Sequence, residues 1–288
     1  MEYKDVVNVL SNNQIKEFVI SSLIESMTNL GFSKELMDEF LGNIDKLDLD
    51  KFISKYSKEL GKIELGHFFG ELVPAYFNKN VVVEVPDYGK VLDLGCGRGT
   101  LIQELIKRGK NIEIVGIDIK ETPEWSKLRS EKVIFQVVQE SDFLFVLEKE
   151  QPDSVAVTWV LHHMEYDEQK RYIESLYKAL KPDATIVVLE DSYSETLKPE
   201  SGENRYRDFM KNNKEDRQKI MGVLDWVANR VFSMRTSMPV PFAYRTLEGW
   251  RKIFEEAGFK TTKMRFLGFP DNRDINNPQS LIVLQKQF

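Results

Sequence analysis

The residues of this chain whose types and spacing could do chemistry are two strand-end carboxylates, a run of glycines and a pair of histidines. The run Val91-Leu92-Asp93-Leu94-Gly95-Cys96-Gly97-Arg98-Gly99-Thr100 carries an apolar strand into a glycine-rich turn, and a helical pattern follows at once. Glycines let the backbone turn tightly and approach a ligand closely. The first turn of the helix adds unpaired N–H groups. The spacing is G-x-G-x-G, with Thr100 where the dinucleotide fingerprint has its third glycine. Asp93, inside the strand end, would repel a pyrophosphate and welcome an ammonium group. The next apolar run ends in Asp118, twenty-three residues after Gly95. An acid there can accept both hydroxyls of a ribose. These residues call for a ligand with a ribose, an amine and no pyrophosphate. Farther along, His162 and His163 follow a fourth apolar run, and Glu190 and Asp191 close a fifth. Ligands of open parallel sheets bind beyond such carboxyl ends, where an imidazole or carboxylate could take a proton from an acceptor.

The elements that must position these groups can be read from periodicity. From about residue 88, short apolar runs alternate with helical stretches. The strands expected are Lys90–Leu94, Ile112–Asp118, Val133–Val138, Ser154–Trp159 and Thr185–Glu190. Helical patterns lie between them at Thr100–Arg108, Pro123–Leu128, Phe143–Lys149 and Asp167–Leu180. Such alternation predicts a doubly wound, mostly parallel sheet with helices on both faces. About fifty residues then intervene before the helical pattern Thr246–Ala257 and two last β runs, Phe259–Leu267 and Leu281–Lys286. A stretch this long inside a compact fold reads as a lid or binding element. Residues 1–80 have helical periodicity, as in Ile15, Phe18, Val19, Ser22, Leu23, Met27 and Leu30. Further helices are expected from Ser33, from Asp48 and over His67–Phe77. The expected organisation is a helical cap over 1–80 and a catalytic domain over 81–288, with a helical insertion at 192–245. Deleting the cap is expected to leave a foldable core without turnover.

The motifs resemble those of the class I S-adenosylmethionine-dependent methyltransferases. VLDLGCGRGT looks like that family's first motif and GIDIK like its acidic second-strand end. VTWVLHHM is similar to the fourth strand and its loop, and ALKPDATIVVLED to the fifth. The resemblance covers 88–191 closely and 246–288 loosely, through EEAGFK. It implies a Rossmann-like sheet of seven strands with the last antiparallel and inserted beside the fifth. It implies S-adenosylmethionine as cofactor, a ligand with the ribose and amine described above. Asp93, Gly95, Cys96 and Gly97 would then line its methionine end, Asp118 would hold the ribose, and Ile119 would pack beside the adenine. The acid usual after the third strand is replaced by Gln139, with Glu140 adjacent. Thr158 and Trp159 would close the methionine side.

Methyl transfer from a sulfonium needs alignment and exclusion of water more than a dedicated catalytic motif. A base matters for a hydroxyl or a protonated amine, and His162, Glu190 and Asp191 are the candidates. Each has a bland alternative: His162 and His163 as loop structure, Asp191 as a helix cap. Cys96 reads as a small packed residue and His67 as packing. Tyr193, Arg235, Tyr244 and Arg245 are candidates for contacts to the acceptor. They fall in or beside residues 195–245, which carry ten basic and seven acidic residues, net +3. The run Met238–Arg245, stiffened by two prolines, is expected to wall the site, and the loop Pro270–Pro278, with Asp271, Arg273 and Asp274, to open on the same face.

Composition narrows the partners. Of 288 residues, 40 are basic and 46 acidic, a net charge of −6. Residues 1–85 hold nine lysines, no arginine and fourteen acids, so −5 of that charge lies in the cap and the few residues after it. A protein that neutralises phosphates needs clustered Lys and Arg, so a nucleic-acid partner is not expected. Single Cys96 leaves no internal disulfide and no multi-cysteine metal centre, and no metal is expected. No apolar run reaches the length of a membrane span, and MEYKDVVNVLSNNQIKEF lacks a signal-peptide core. The expected compartment is cytoplasmic. The expected function is methyl transfer to an O, N or C atom of a small molecule. The alternatives are a protein or RNA methyltransferase and a non-catalytic cofactor-binding regulatory partner.

Overall fold

The computed structural model describes residues 2–109, 111–139, 142–270 and 277–287. The N-terminal helices are α1 (Tyr3–Leu10), α2 (Asn13–Leu30), α3 (Lys34–Asn43), α4 (Leu49–Phe69) and α5 (Leu72–Asn80). A 3-10 turn, Val82–Glu84, leads into β1 (Tyr88–Leu94), followed by α6 (Thr100–Lys107), β2 (Asn111–Asp118), α7 (Trp125–Leu128) and β3 (Val133–Val137). Then come α8 (Phe143–Glu150), β4 (Ser154–Thr158), a 3-10 turn at Leu161–His163, α9 (Tyr166–Ala179) and β5 (Thr185–Asp191). The remaining elements are α10 (Glu203–Met210), α11 (Lys214–Trp226), a π-helical turn at Val227–Phe232, α12 (Leu247–Glu256), β6 (Phe259–Gly268) and β7 (Gln279–Lys286). Polar residues set several helix starts: Asn12, Ser33, Asp48, Asn213 and Thr246 each accept a first-turn N–H.

The seven strands form one sheet in the order β3-β2-β1-β4-β5-β7-β6. β1 to β5 are mutually parallel, and β7 runs antiparallel between β5 and β6. This is the Rossmann-like methyltransferase architecture expected from the motifs. The chain leaves β1 toward β2 and β3 on one side, and β4 and β5 fill the other. The carboxyl ends of β1 and β4 therefore flank the crevice where the winding reverses, the place such sheets bind ligands.

Alternation along the strands gives each face its own core. Val91, Ile112, Ile114, Ala156, Val187, Leu189 and Leu281 pack with Val73 and Phe77 of α5 and with Leu101, Ile102 and Leu105 of α6. Leu92, Leu94, Val115, Ile117, Val155, Val157, Ile186 and Val188 face the other way. Their cluster takes in α9 and α12, then runs on without a break into α1–α4 and the insertion.

The N-terminal segment departs from the sequence reading in three ways. A further helix, α1, precedes the Ile15 stripe. His67, Phe68 and Phe69 end α4 and do not begin α5, because Gly70 interrupts the helix. Finally, α5 packs on the α6 face of the sheet, apart from the other four. Those four share their core with the insertion: Tyr3 stacks on Trp226 at 5.8 Å, and Phe32 and Phe40 meet Phe232 at 4.7 and 5.9 Å. Fully burying one such aromatic contributes about 1.5–3 kcal/mol. Deleting residues 1–80 is therefore expected to uncover the apolar face of α11 and, with α5 gone, that of α6, giving an aggregating, dye-binding product. A soluble truncated chain with a sharp, unchanged melting transition would contradict this shared core.

Candidate functional site

The glycine turn is held from both sides of the crevice. The N–H groups of Gly95 and Cys96 donate to the Ile117 carbonyl at 2.9 and 3.0 Å. Gly97 N–H donates to Asp118 Oδ2 at 2.8 Å, and Trp125 Nε1 donates to the Gly97 carbonyl at 2.8 Å. Gly97 takes φ +53°, and a Cβ added there would meet nothing within 4 Å, so its backbone borders open space. Asp93 is 1% exposed, and its Oδ1 has no hydrogen-bond partner. Burial, with the charge of Asp118 adding to it, pushes the Asp93 carboxyl up to about 7. An anion is thus held in a dry place beside another anion, an arrangement that favours a cationic ligand. Cys96, buried in the same turn, has its thiol pushed well above its usual range by burial and by Asp93 and Asp118. It is no nucleophile.

Ile119, beside Asp118, is 59% exposed and offers a free apolar surface. Gln139 is exposed, and its carbonyl accepts from Asp142 N–H at 2.9 Å. Glu140 lies outside the described residues, as do Asp271, Arg273 and Asp274. Thr158 is buried at the end of β4. Trp159 follows with φ +56°, an uncommon conformation for a side-chain-bearing residue. Its ring lies 5.0 Å from Phe77 of α5, and its Nε1 donates to Gln279 Oε1 at 2.5 Å. Gln279 in turn donates to Asp191, as does Asn277 Nδ2 at 2.7 Å. Asp191 is thereby spent on the β7 end, and it caps no helix.

His162 and Glu190 come together. His162 Nδ1 lies 2.5 Å from Glu190 Oε2, with both side chains buried. Glu190 Oε1 accepts the N–H groups of Val160 and Leu161 at 2.9 and 2.7 Å, which fixes it on the turn carrying the histidines. The acceptor carboxylate makes Nδ1 the protonated atom and leaves Nε2 with the lone pair in the neutral ring. Nε2 is 3.9 Å from Oδ1 of Asp225, a buried acid on α11. Asp225 also accepts from Tyr244 Oη at 2.8 Å and Asn229 Nδ2 at 2.6 Å. Burial works to lower the His162 pKa, but Glu190, Asp191 and Asp225 outweigh it and push it up to about 10. Asp191 is pushed up to about 6 by burial, against the opposing pull of His162. Asp225 is raised as well, again chiefly by burial. Among the described residues, no lysine or arginine pairs with Glu190, Asp191 or Asp225.

His163 behaves oppositely. Its Nδ1 donates to the Pro239 carbonyl at 2.8 Å, so the proline-stiffened run does lie against the histidines. Burial and the neighbouring His162 hold His163 down to about 3. His162, His163 and Asp225 each offer one atom within 4.8 Å of the others, a spacing open to a metal ion. The Nδ1 atoms face Glu190 and the Pro239 carbonyl, and the two Asp225 oxygens accept from Tyr244 and Asn229.

The four residues expected at the acceptor scatter. Tyr193 is fully buried, edge-on to Phe209 and under the guanidinium of Arg217. Tyr244 is buried too, and its Oη donates to Asp225. Arg245 is paired within the fold: Nε donates to Gln169 Oε1 at 2.7 Å and Nη2 to the Tyr166 carbonyl at 3.0 Å. Arg235 remains near the glycine turn, 3.9 Å from Glu64 and stacked on Phe68. Asp225 and Glu64 were not among the expected residues. Each is a lone acid on an apolar helical stripe, among Ile220, Val223, Leu224, Val227 and Val231 for one and after Phe52, Tyr56 and Leu60 for the other. That was the signal available.

Residues 69–263 match a family described as a methyltransferase domain. An uncharacterised methyltransferase of Oceanobacillus iheyensis is 28% identical over 108 residues, 37% of this chain and 48% of the relative. The chain thus spans about half the length of that relative. The 1,6-didemethyltoxoflavin-N1-methyltransferase of Burkholderia thailandensis is similar at 14% identity, covering 83% of this chain and 87% of the other, with a TM-score of 0.47. A SAM-dependent methyltransferase from Archaeoglobus fulgidus is similar at 18% identity over 78% and 98%, TM-score 0.48. Human N-acetylserotonin methyltransferase is similar at 16% identity over 99% and 70%, TM-score 0.47.

Proposed function

The chain belongs to the class I S-adenosylmethionine-dependent methyltransferases, and on that premise we propose that it methylates a hydroxyl group of a small molecule. The observation that carries this reading is the buried His162–Glu190 pair at the carboxyl edge of the sheet. A sulfonium methyl group needs no base unless the acceptor must lose a proton, and a hydroxyl must.

The residues present fit the cofactor. Asp93, dry and with an unpartnered oxygen, suits the ammonium group of its methionine end. Asp118 has lone pairs left for the ribose hydroxyls after accepting Gly97 N–H. Ile119 gives the adenine an apolar surface, and Gln139 lies beyond β3 with Glu140 next in the chain. Thr158 and Trp159 border the methionine end from β4. When bound, S-adenosylmethionine supplies a methyl group already activated by the positive charge on sulfur.

The rest of the work falls to the protein. Glu190 fixes the His162 tautomer by taking Nδ1–H, so Nε2 is the atom that receives the acceptor's proton. The acids around His162 stabilise the imidazolium that results. Helices α1–α4 and the insertion, joined through one apolar core, exclude water from the carboxyl edge. That roof favours a small acceptor, and Arg235 under it is the guanidinium we assign to an anionic group on that acceptor.

The test is to incubate the protein with methyl-labelled S-adenosylmethionine and, separately, a small-metabolite extract, a protein fraction and an RNA fraction. Label is expected in extractable small molecules, as base-stable methyl ethers. Label confined to protein or RNA would overturn the small-molecule reading. Cofactor binding without transfer to any fraction would favour a regulatory partner instead.

A further inference from the structure

The glycine turn is costly to order. Gly95, Gly97 and Gly99 all take positive φ, at 72°, 53° and 85°, and glycine loses more backbone freedom on ordering than any other residue. Arg98 lies between two of them, and its guanidinium leaves the turn for two carboxylates. Nη1 donates to Glu124 Oε2 at 3.1 Å, and Nη2 donates to Glu64 Oε2 at 2.6 Å. Glu64 is on α4, thirty-four residues upstream, with its side chain 4% exposed. It occupies the buried stripe begun by Phe52, Tyr56 and Leu60, where an apolar residue would complete the packing. A buried carboxylate is tolerated only when paired. Its Oε2 has Arg98. Its Oε1 accepts no hydrogen bond and has Arg235 Nη2 at 3.9 Å. Three separate parts of the chain, α4, the glycine turn and the insertion, thus meet on this one acid.

From this junction we infer that Glu64 is a positioning residue for the cofactor: through Arg98 it holds the glycine turn so that Gly97 N–H keeps Asp118 aimed at the ribose. The inference rests on the reading of Asp118 given above. Glu64 touches neither substrate nor cofactor. It acts through a charge-assisted bond on Arg98, whose guanidinium leaves the turn. Helical cap and cofactor loop are then one unit, and the cap contributes to cofactor affinity besides covering the acceptor.

The test uses the full-length protein, S-adenosylhomocysteine titrated by calorimetry, and kinetics once an acceptor is known. Glu64→Gln is expected to weaken binding tenfold or more, leaving kcat at saturating cofactor within about twofold. Arg98→Gln, which cuts the same bond from its other end, is expected to do likewise. It reads the bond if the melting curve shows Glu64→Gln to be unfolded. The double variant should be no weaker than the worse single variant, because both remove one interaction. Unchanged affinity in a folded single variant, or additive losses in the double, would overturn the inference. Wild-type protein that binds no S-adenosylhomocysteine would instead refute the cofactor reading itself.

Discussion

Replacing Asp93 with asparagine is expected to stabilise the ligand-free protein at pH 8 by about 1–2 kcal/mol while abolishing S-adenosylmethionine binding. The sign follows from the direction of the shift. The unfolded carboxyl loses its proton near 3.8, whereas the folded one keeps it up to about 7. Between these values the native state binds the extra proton, so stability falls as pH rises and is lowest above about 7. A shift of this size corresponds to about 2–4 kcal/mol of penalty at pH 8. Asparagine removes the charge but leaves a buried amide short of partners, a cost of about 1–3 kcal/mol, and the remainder is the net gain. At pH 4 the gain should vanish, because Asp93 is then neutral in the folded chain. Thermal melts of both proteins at pH 4 and pH 8 check this. A variant less stable at pH 8 by the same margin as at pH 4 would show that Asp93 carries no buried charge.

The second large effect concerns turnover. His162→Gln keeps much of the side-chain volume and loses the proton acceptor. It is expected to lower kcat by about 10²–10⁴, with cofactor affinity within a few-fold of wild type. The wild-type pH profile should also be distinctive. His162 is pushed up to about 10, so near neutral pH the unliganded ring is mostly protonated. Its lone pair becomes available as pH rises, and kcat should climb as pH rises toward about 10. That limb should be absent from the variant. Stability runs the other way: the stabilisation from the raised His162 pKa is full below 6.5 and is lost toward 10. Rising activity over a range of falling stability is therefore expected. A flat profile, or an unchanged kcat in the variant, would remove His162 from the chemistry.

The half of the candidate site proposed to hold the cofactor was legible because it is local. A strand, a glycine turn and a helix follow one another in Val91–Thr100, and Asp118 ends the adjacent strand at a spacing set by one βαβ unit. Periodicity gave all seven strands to within a few residues for the same reason. The junctions were not legible, because they depend on which helix faces return to the sheet. His162 and Glu190 were both named as candidates, but their bond follows from the pairing of β4 with β5. Asp225 and Glu64 read as stray polar residues on apolar stripes until packing supplied their partners. Arg245 illustrates the reverse case. A cation near an expected site wall was an obvious candidate, yet its guanidinium is taken by Gln169 and the Tyr166 carbonyl. The cap looked separable from the rest of the chain because it had its own periodicity, and deleting it was expected to leave a foldable core. Tyr3 on Trp226 and Phe32 on Phe232 make cap and insertion one body.

The central claim is that the strand-end acids hold S-adenosylmethionine, and calorimetric titration of that cofactor at pH 7.5 tests it most directly. The expected result is saturable 1:1 binding to the wild-type protein, weakened at least tenfold by Asp118→Ala and lost in Asp93→Asn. Absence of binding to the wild type, or equal affinities in all three proteins, would contradict the account.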